Sequence, residues 1–285
     1  MGTEQSRARG RSNGGPTRRS RGASSEDGLP AVPPHTPSPL HSATPLRCVI
    51  DGKLQPPAMS LGDWVRDCNT GNPVHEMVAA STEQVEEALA AAERVHRQGV
   101  WANLSLGDKC AWLNKLADAM VTYEAQMGRA DARETGVVCE LTTIINSSIK
   151  GAFQSVADGI RKANLSKEFG GVHGPIQVSH KPWGPALIIA PWNVPGGSVV
   201  PKIAAALAAG CPVILKPSEW APTALDLLGR AIVDAQLPPG VFQLLHGAGG
   251  VGERLVRDPR IRCVNFTGSA GVGTRPVCWL DIAVV

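Results

Sequence analysis

Residues 186–216 have the sequence ALIIAPWNVPGGSVVPKIAAALAAGCPVILK. Two short apolar runs, Ala186–Ala190 and Val213–Leu215, flank a helical pattern over Ser198–Ala209. Apolar runs bounded by turn residues are typical of buried strands. The alternation continues downstream, with predicted helices at Thr223–Gln236 and Val251–Arg257 and predicted strands at Val241–Leu245 and Cys263–Phe266. This order of elements predicts an α/β fold with a parallel sheet.

Polar or glycine-rich segments follow each of the four predicted strands. They are PWN at 191–193, KPSE at 216–219, GAGGVG at 247–252 and TGS at 267–269. Ligands of open parallel sheets bind beyond the carboxyl ends of the strands. We therefore expect these four segments to line one site.

The glycine-rich segments do not identify a ligand by themselves. Gly247, Gly249 and Gly252 match G-x-G-x-x-G, but no acidic residue lies about 20 positions on to bind a ribose. The run from Gly268 to Gly273 lacks the lysine of a phosphate-binding Walker loop. Backbone amides at 268–269 remain a candidate phosphate cradle, and a tight strand-to-helix turn is the other interpretation.

The segment from Cys48 to about Lys181 has a mainly helical pattern. Ser81 and Gln84 form a candidate capping box for a helix that runs to about Gln98. A second helix is predicted to begin near Ser105 and a third to cover 140–162, with Gly136 near a break between them.

Charge is unevenly distributed along the 285 residues. The formal net charge is +3, and residues 1–45 hold six arginines against three acids, which leaves 22 basic and 22 acidic residues in 46–285. A neutral body argues against nucleic-acid binding, which needs a basic face. No apolar run reaches the length of a membrane span. Seven scattered cysteines without CxxC spacing predict a reduced, cytoplasmic setting and no metal site.

The two ends of the chain differ from the body. Residues 1–45 are rich in Arg, Ser, Pro and Gly, a composition that predicts disorder. This segment has three interpretations. It is a simple linker, or it carries a myristoylated Gly2 that binds a membrane surface together with the arginines, or, less favoured, it is an organelle transit peptide. Residues 274–285 form a divergent tail, in which Trp279–Val285 is a candidate fifth strand.

Five ordered motifs indicate a family. PWNVP at 191–195, AAGCPVILKPSE at 208–219, PPGV at 238–241, GAGGVG at 247–252 and FTGS at 266–269 closely resemble the aldehyde dehydrogenase superfamily. The resemblance covers about 46–273 and implies a helical N-terminal region followed by a Rossmann-like coenzyme domain. It also implies NAD(P)-dependent oxidation of an aldehyde to an acid. The sequence leaves the oligomeric state open, with a homo-oligomer and a hetero-oligomer as candidates.

The resemblance assigns roles to single residues. Asn193 matches the amide of the oxyanion hole, where a turn-capping asparagine is the structural alternative. Lys216 and Glu219 match the residues at the adenosine ribose, and a carboxylate there favours NAD while leaving NADP possible. Gly249 and Gly252 match the glycines beside the adenine, and Ser269 matches the residue at the pyrophosphate. The remaining matches to the coenzyme site are Trp192, Ser218, Thr267 and Gly268.

The sequence contains neither the ELGGK-like segment nor the GQxC-like segment that carry the family's general base and nucleophile. Cys278 is the one cysteine after FTGS and lacks that motif. The chain is therefore expected to stop before the catalytic domain and to be inactive alone. Three interpretations follow: an incomplete aldehyde dehydrogenase, a noncatalytic nucleotide-binding or regulatory homologue, and a module delivered to membranes by its tail.

Overall fold

The computed structural model describes residues 45–163 and 165–279, the last five by their backbone alone. Its strands are β1 Cys48–Ile50, β2 Lys53–Gln55, β3 Met59–Arg66, β4 Pro73–Ala79, β5 Ser166–Gly171, β6 Gly174–Ser179, β7 Ala186–Ile189, β8 Val213–Lys216, β9 Phe242–Leu244 and β10 Cys263–Phe266. Its helices are α1 Thr82–Gln98, α2 Leu106–Val121, α3 Glu124–Thr135, α4 Cys139–Arg161, α5 Pro195–Ala208, α6 Thr223–Asp234, α7 Gly249–Arg257 and α8 Ala270–Trp279. The predictions for residues 1–44 and 280–285 lie outside these ranges.

A six-stranded sheet in the order β10-β7-β8-β9-β1-β2 forms the centre of the fold. The four strands predicted from the apolar runs are present and parallel. Ile189 at the end of β7 pairs with Lys216 on one side and with Phe266 on the other. Three strands therefore end level, and the segments that follow them begin at one edge of the sheet.

The helical predictions are confirmed with small shifts at the ends. Helix α1 begins after Ser81, whose side chain accepts from the Gln84 amide while the Gln84 side chain accepts from the Ser81 amide. Helix α2 begins after Ser105, and α4 covers the third predicted helix. Gly136, with φ of 76°, ends α3 in a left-handed conformation that glycine adopts without strain.

The mainly helical region predicted from Cys48 to Lys181 contains four helices and also six strands that were not predicted. Strands β1 and β2 join the central sheet antiparallel, so the sheet is mixed. The pairs β3–β4 and β5–β6 form separate two-stranded antiparallel sheets. Most of their residues are exposed, so these strands lack the apolar runs that marked the others.

At the C-terminal end, the fifth-strand prediction is wrong for its first residue. Trp279 is the last residue of helix α8, and the rest of the predicted strand, 280–285, is outside the described residues. Residues 270–279 therefore form a helix that directly follows β10.

Apolar side chains alternate between the two faces of the parallel strands. Ile188, Val213 and Leu215 belong to a core shared with α2, α4, α5 and α6. Leu187 and Ile214 point into a second core shared with α1 and α7. Both faces of the sheet are thus covered by helices, which explains the continuous apolar runs. Within residues 45–163 and 165–279, no helix is long and apolar enough to cross a membrane.

Candidate functional site

A cavity of about 720 Å³ opens at the carboxyl ends of β7, β8 and β10. The structure brings all ten sequence-predicted site residues to its wall. They are Trp192, Asn193, Lys216, Ser218, Glu219, Gly249, Gly252, Thr267, Gly268 and Ser269. Level strand ends place the first residues of the following loops side by side, which is the physical reason for this convergence.

Trp192 and Asn193 lie in the turn between β7 and α5. The Asn193 Oδ1 accepts a hydrogen bond from the Val194 amide at 3.0 Å, and the side chain is exposed at the cavity. Because its oxygen is held by the backbone, the Nδ2 amide group is the part of Asn193 that can donate to a ligand. Pro195 begins α5 and fixes the turn.

Lys216 is buried at the end of β8 and joins two of the site loops. Its Nζ donates to the carbonyl oxygens of Pro217 at 2.7 Å and Gly247 at 2.6 Å. Glu219 Oε2 lies 3.5 Å from the same nitrogen. Burial lowers the pKa of the Lys216 amine, and the Glu219 carboxylate acts in the opposite direction. The lysine therefore stabilises the loop pair, and Glu219 is the more exposed charge of the two.

Ser218 and the glycines complete the wall beside this lysine. The Ser218 side chain is buried, and its Oγ accepts from the Trp220 amide at 3.3 Å. Helix α7 begins at Gly249, where an added Cβ would project into open space. At Gly252, an added Cβ would lie 3.3 Å from the Lys216 side chain, so the backbone of α7 packs directly on the lysine.

The FTGS segment forms the opposite wall. The Thr267 amide donates to the Ile189 carbonyl at 3.2 Å, which continues the β10–β7 ladder. A Cβ at Gly268 would lie 2.5 Å from the Phe266 ring, so a larger residue is excluded without movement of that ring. Ser269 precedes α8, and the first amides of a helix lack acceptors within it. This end of the cavity is suited to an anion.

Lys202 is a functional candidate that the motif comparison missed. Its Nζ donates to Thr267 Oγ1, and burial lowers the pKa of its amine. It is the one charged residue of α5, whose other residues are apolar or small. A single charge in such a helix is the sequence feature that could have marked Lys202 as a candidate. The residues that line the cavity outside the predicted set include Gly250, Glu253, Val256, Phe266 and Val272.

Comparison with known proteins identifies the family of the chain. The model of the aldehyde dehydrogenase family matches residues 64–276. The chain belongs to the aldehyde dehydrogenase family. A 3-succinoylsemialdehyde-pyridine dehydrogenase from a Pseudomonas species is 32% identical over 226 residues, which are 75% of this chain and 46% of that relative.

Solved aldehyde dehydrogenase structures share the fold. A structure of aldehyde dehydrogenase C from Pseudomonas syringae, with NAD+ and octanal bound, has a TM-score of 0.76 at 26% identity and covers 84% of this chain and 48% of that one. An NAD-dependent aldehyde dehydrogenase from Sinorhizobium meliloti has a TM-score of 0.77 at 25% identity, with the same two coverages. The chain thus spans about half the length of the aldehyde dehydrogenases it matches.

Proposed function

We propose that this chain binds NAD in the cavity at the strand ends, as the coenzyme-binding part of an enzyme that oxidises an aldehyde to a carboxylic acid. The observation that carries the proposal is the convergence of all ten motif residues on one 720 Å³ cavity. Family membership and the NAD+ complex of the Pseudomonas syringae relative support it. NAD supplies the hydride acceptor of the reaction.

The residues present fit a dinucleotide. The exposed backbone at Gly249 and Gly250 gives a ligand close access, since a Cβ at either position would occupy open space. Glu219 offers a carboxylate to a pair of ribose hydroxyls. The amides at the start of α8 offer donors to a pyrophosphate. Acceptor, donor and open backbone thus line the same cavity.

Asn193 is the proposed donor to the aldehyde oxygen. Its Oδ1 is held by the Val194 amide, which orients Nδ2 as a donor before substrate arrives. A fixed donor stabilises negative charge that develops on an oxygen, and loss of one such donor costs about two to three powers of ten in turnover. That loss is the result we expect for Asn193→Ala in any form of the protein that turns over aldehyde.

The nucleophile and base of the family reaction lie outside the motifs present here. The 285 residues contain no ELGGK-like or GQxC-like segment. We therefore propose that the chain as given binds NAD without oxidising aldehydes. A noncatalytic regulatory homologue would behave in the same way, so mixing with an active aldehyde dehydrogenase subunit and measuring a change in its turnover would separate the two roles.

Titration of the full chain with NAD and NADP, followed by calorimetry, tests the proposal. We expect saturable binding of NAD and weaker binding of NADP, because the 2′-phosphate of NADP would approach the Glu219 carboxylate. Glu219→Gln should lower the ratio of the two dissociation constants by roughly tenfold. Absence of NAD binding would refute the proposed function, and an unchanged ratio would refute the role of Glu219 alone.

A cytoplasmic location and assembly into oligomers are further proposals for this chain. The six cysteines whose side chains the structure describes are free thiols, which is compatible with the proposed cytoplasmic setting. The tail that carries the candidate myristoylation site lies outside the described residues. Intact mass of the expressed protein distinguishes a myristoylated Gly2 from a shortened or unmodified N-terminus, and light scattering of the purified chain tests for oligomers.

A further inference from the structure

Glu253 is a carboxylate in the cavity wall that the motif comparison leaves without a role. It lies on α7 four residues after Gly249 and three residues before Val256, and all three line the cavity. Positions separated by three or four residues share one face of a helix. The face of α7 toward the cavity is therefore open backbone, then a carboxylate, then an apolar side chain.

Arg257 holds this carboxylate from one side. Its Nε and Nη2 lie 3.0 and 2.9 Å from Glu253 Oε1. Both of these distances involve Oε1, and the Glu253 side chain is 45% exposed, so its carboxylate has lone pairs that a ligand can reach. The Glu253 carboxylate is thus positioned by its neighbour and remains available as an acceptor.

The surroundings of Glu253 suit a flat, largely apolar ring with one donor at its rim. Val256 is buried in the α7 wall, and Val272 of α8, half-exposed, lines the same cavity. Glu219 belongs to a different element, the loop after β8, where it faces Lys216. The two carboxylates are therefore available for two different groups of one ligand.

We propose that Glu253 selects the base of the dinucleotide by accepting a hydrogen bond from an exocyclic amino group, as adenine carries. This inference rests on the proposed binding of NAD in the same cavity. An amino group donates to a carboxylate, whereas the carbonyl oxygen of hypoxanthine places a second acceptor against it. A ligand without the donor displaces water from the carboxylate and provides no hydrogen bond in its place.

The test compares NAD with nicotinamide hypoxanthine dinucleotide, which differs from it at the base amino group. Dissociation constants for both are measured by calorimetry with the full chain, Glu253→Ala and Glu253→Gln. The unmodified chain should favour NAD by about tenfold. Glu253→Ala should bring the ratio close to one, and Glu253→Gln should also reduce it, because its amide can donate to the hypoxanthine oxygen.

Glu168→Gln is the matched control, since Glu168 is an exposed carboxylate of β5 that does not line the cavity. It should leave the ratio of the unmodified chain unchanged. A ratio near one in the unmodified chain, or a tenfold ratio that survives in Glu253→Ala, would overturn the role of Glu253 while NAD binding stands. Failure of both dinucleotides to bind the unmodified chain would overturn the proposed function and this inference together.

Discussion

Asp131 is a carboxylate buried between α3 and α4, and burial raises its pKa to about 7. The Asn146 amide donates to its Oδ2 at 2.9 Å, which acts against the shift, and the nearby Glu134 charge adds to it. Asp131 Oδ1 and Asn146 Oδ1 have no partner within the described residues. Ionisation of Asp131 in this position is costly because no cation or second donor compensates it.

The shift predicts how stability depends on pH. Since the folded protein binds this proton more tightly than the unfolded chain, whose pKa is near 3.8, the contribution is full below that pH and is lost as pH rises to about 7. Asp131→Asn removes the titration. The unfolding free energy of the variant relative to the original should therefore increase by about 2–3 kcal/mol between pH 5 and pH 8.

Urea denaturation at several pH values measures this difference. Asp118→Asn is the control, because Asp118 is an exposed partner of Lys150 on the same helical region. Its effect should vary little between pH 5 and pH 8. A difference for Asp131→Asn that stays constant across this range would contradict the raised pKa.

Individual site residues could be predicted from the sequence where they belong to a recognisable motif. Asn193, Glu219 and Ser269 lie three or four residues after the ends of strands, and level strand ends bring such positions together. Lys202 and Glu253 were not predicted, because each lies inside a helix, and the packing of that helix brings Lys202 to Thr267 and Glu253 to the cavity. Packing of this kind depends on neighbours that are distant in sequence.

At the scale of elements, burial explains which predictions succeeded. Strands β7 and β8 are covered on both faces, and all their residues except Lys216 are apolar, which is a strong local signal. Strands β5 and β6 pair with each other and are mostly exposed, so their sequences resemble loops. Helix α3 was missed because EAQMGRADARET has few apolar residues and buries only one large apolar side chain, Met127.

The capping box of α1 also anchors the loop before β3. Gln84 Oε1 accepts from the amides of Ser81 at 3.1 Å and Ala58 at 3.0 Å, and its Nε2 donates to the Pro56 carbonyl at 2.8 Å. Ser81→Ala should lower the unfolding free energy by about 1 kcal/mol, the usual effect of losing an N-cap. Gln84→Ala should cost more, because it also releases residues 56–58.

Thermal unfolding measures both variants, with a shift of about 2–4 °C expected for each kcal/mol in a chain of this size. Ser147→Ala is the control, since Ser147 lies on the exposed side within α4 and bonds only to the Ile144 carbonyl of its own helix. It should be neutral or slightly stabilising, because alanine is the better helix former. Equal losses for Ser81→Ala and Gln84→Ala would show that the contacts to residues 56–58 contribute nothing.

At the scale of the whole molecule, the N-terminal and C-terminal parts of the described chain form one sheet. Strand β1 pairs antiparallel with β9 through Val49 and Leu244, and Asp51 donates its amide to the buried Gln243 side chain at 2.8 Å. The Arg47 amide also donates to Asp226 of α6. This link has no local sequence signal, because the pairing joins residues almost 200 positions apart and β1 has only three residues.

This link predicts that the coenzyme cavity depends on a strand far from it in sequence. Cys48, Val49 and Ile50 are almost completely buried, and burial of such side chains contributes about 1.5–3 kcal/mol each. A chain that starts at Gly52 loses all three together with the β1 hydrogen bonds, a loss comparable with the whole stability of a typical domain. A chain that starts at Pro45 keeps them.

Circular dichroism and NAD titration should show a folded, NAD-binding protein for the Pro45 start and neither property for the Gly52 start. Equal folding of the two chains would mean that the parallel strands and their helices are stable without β1.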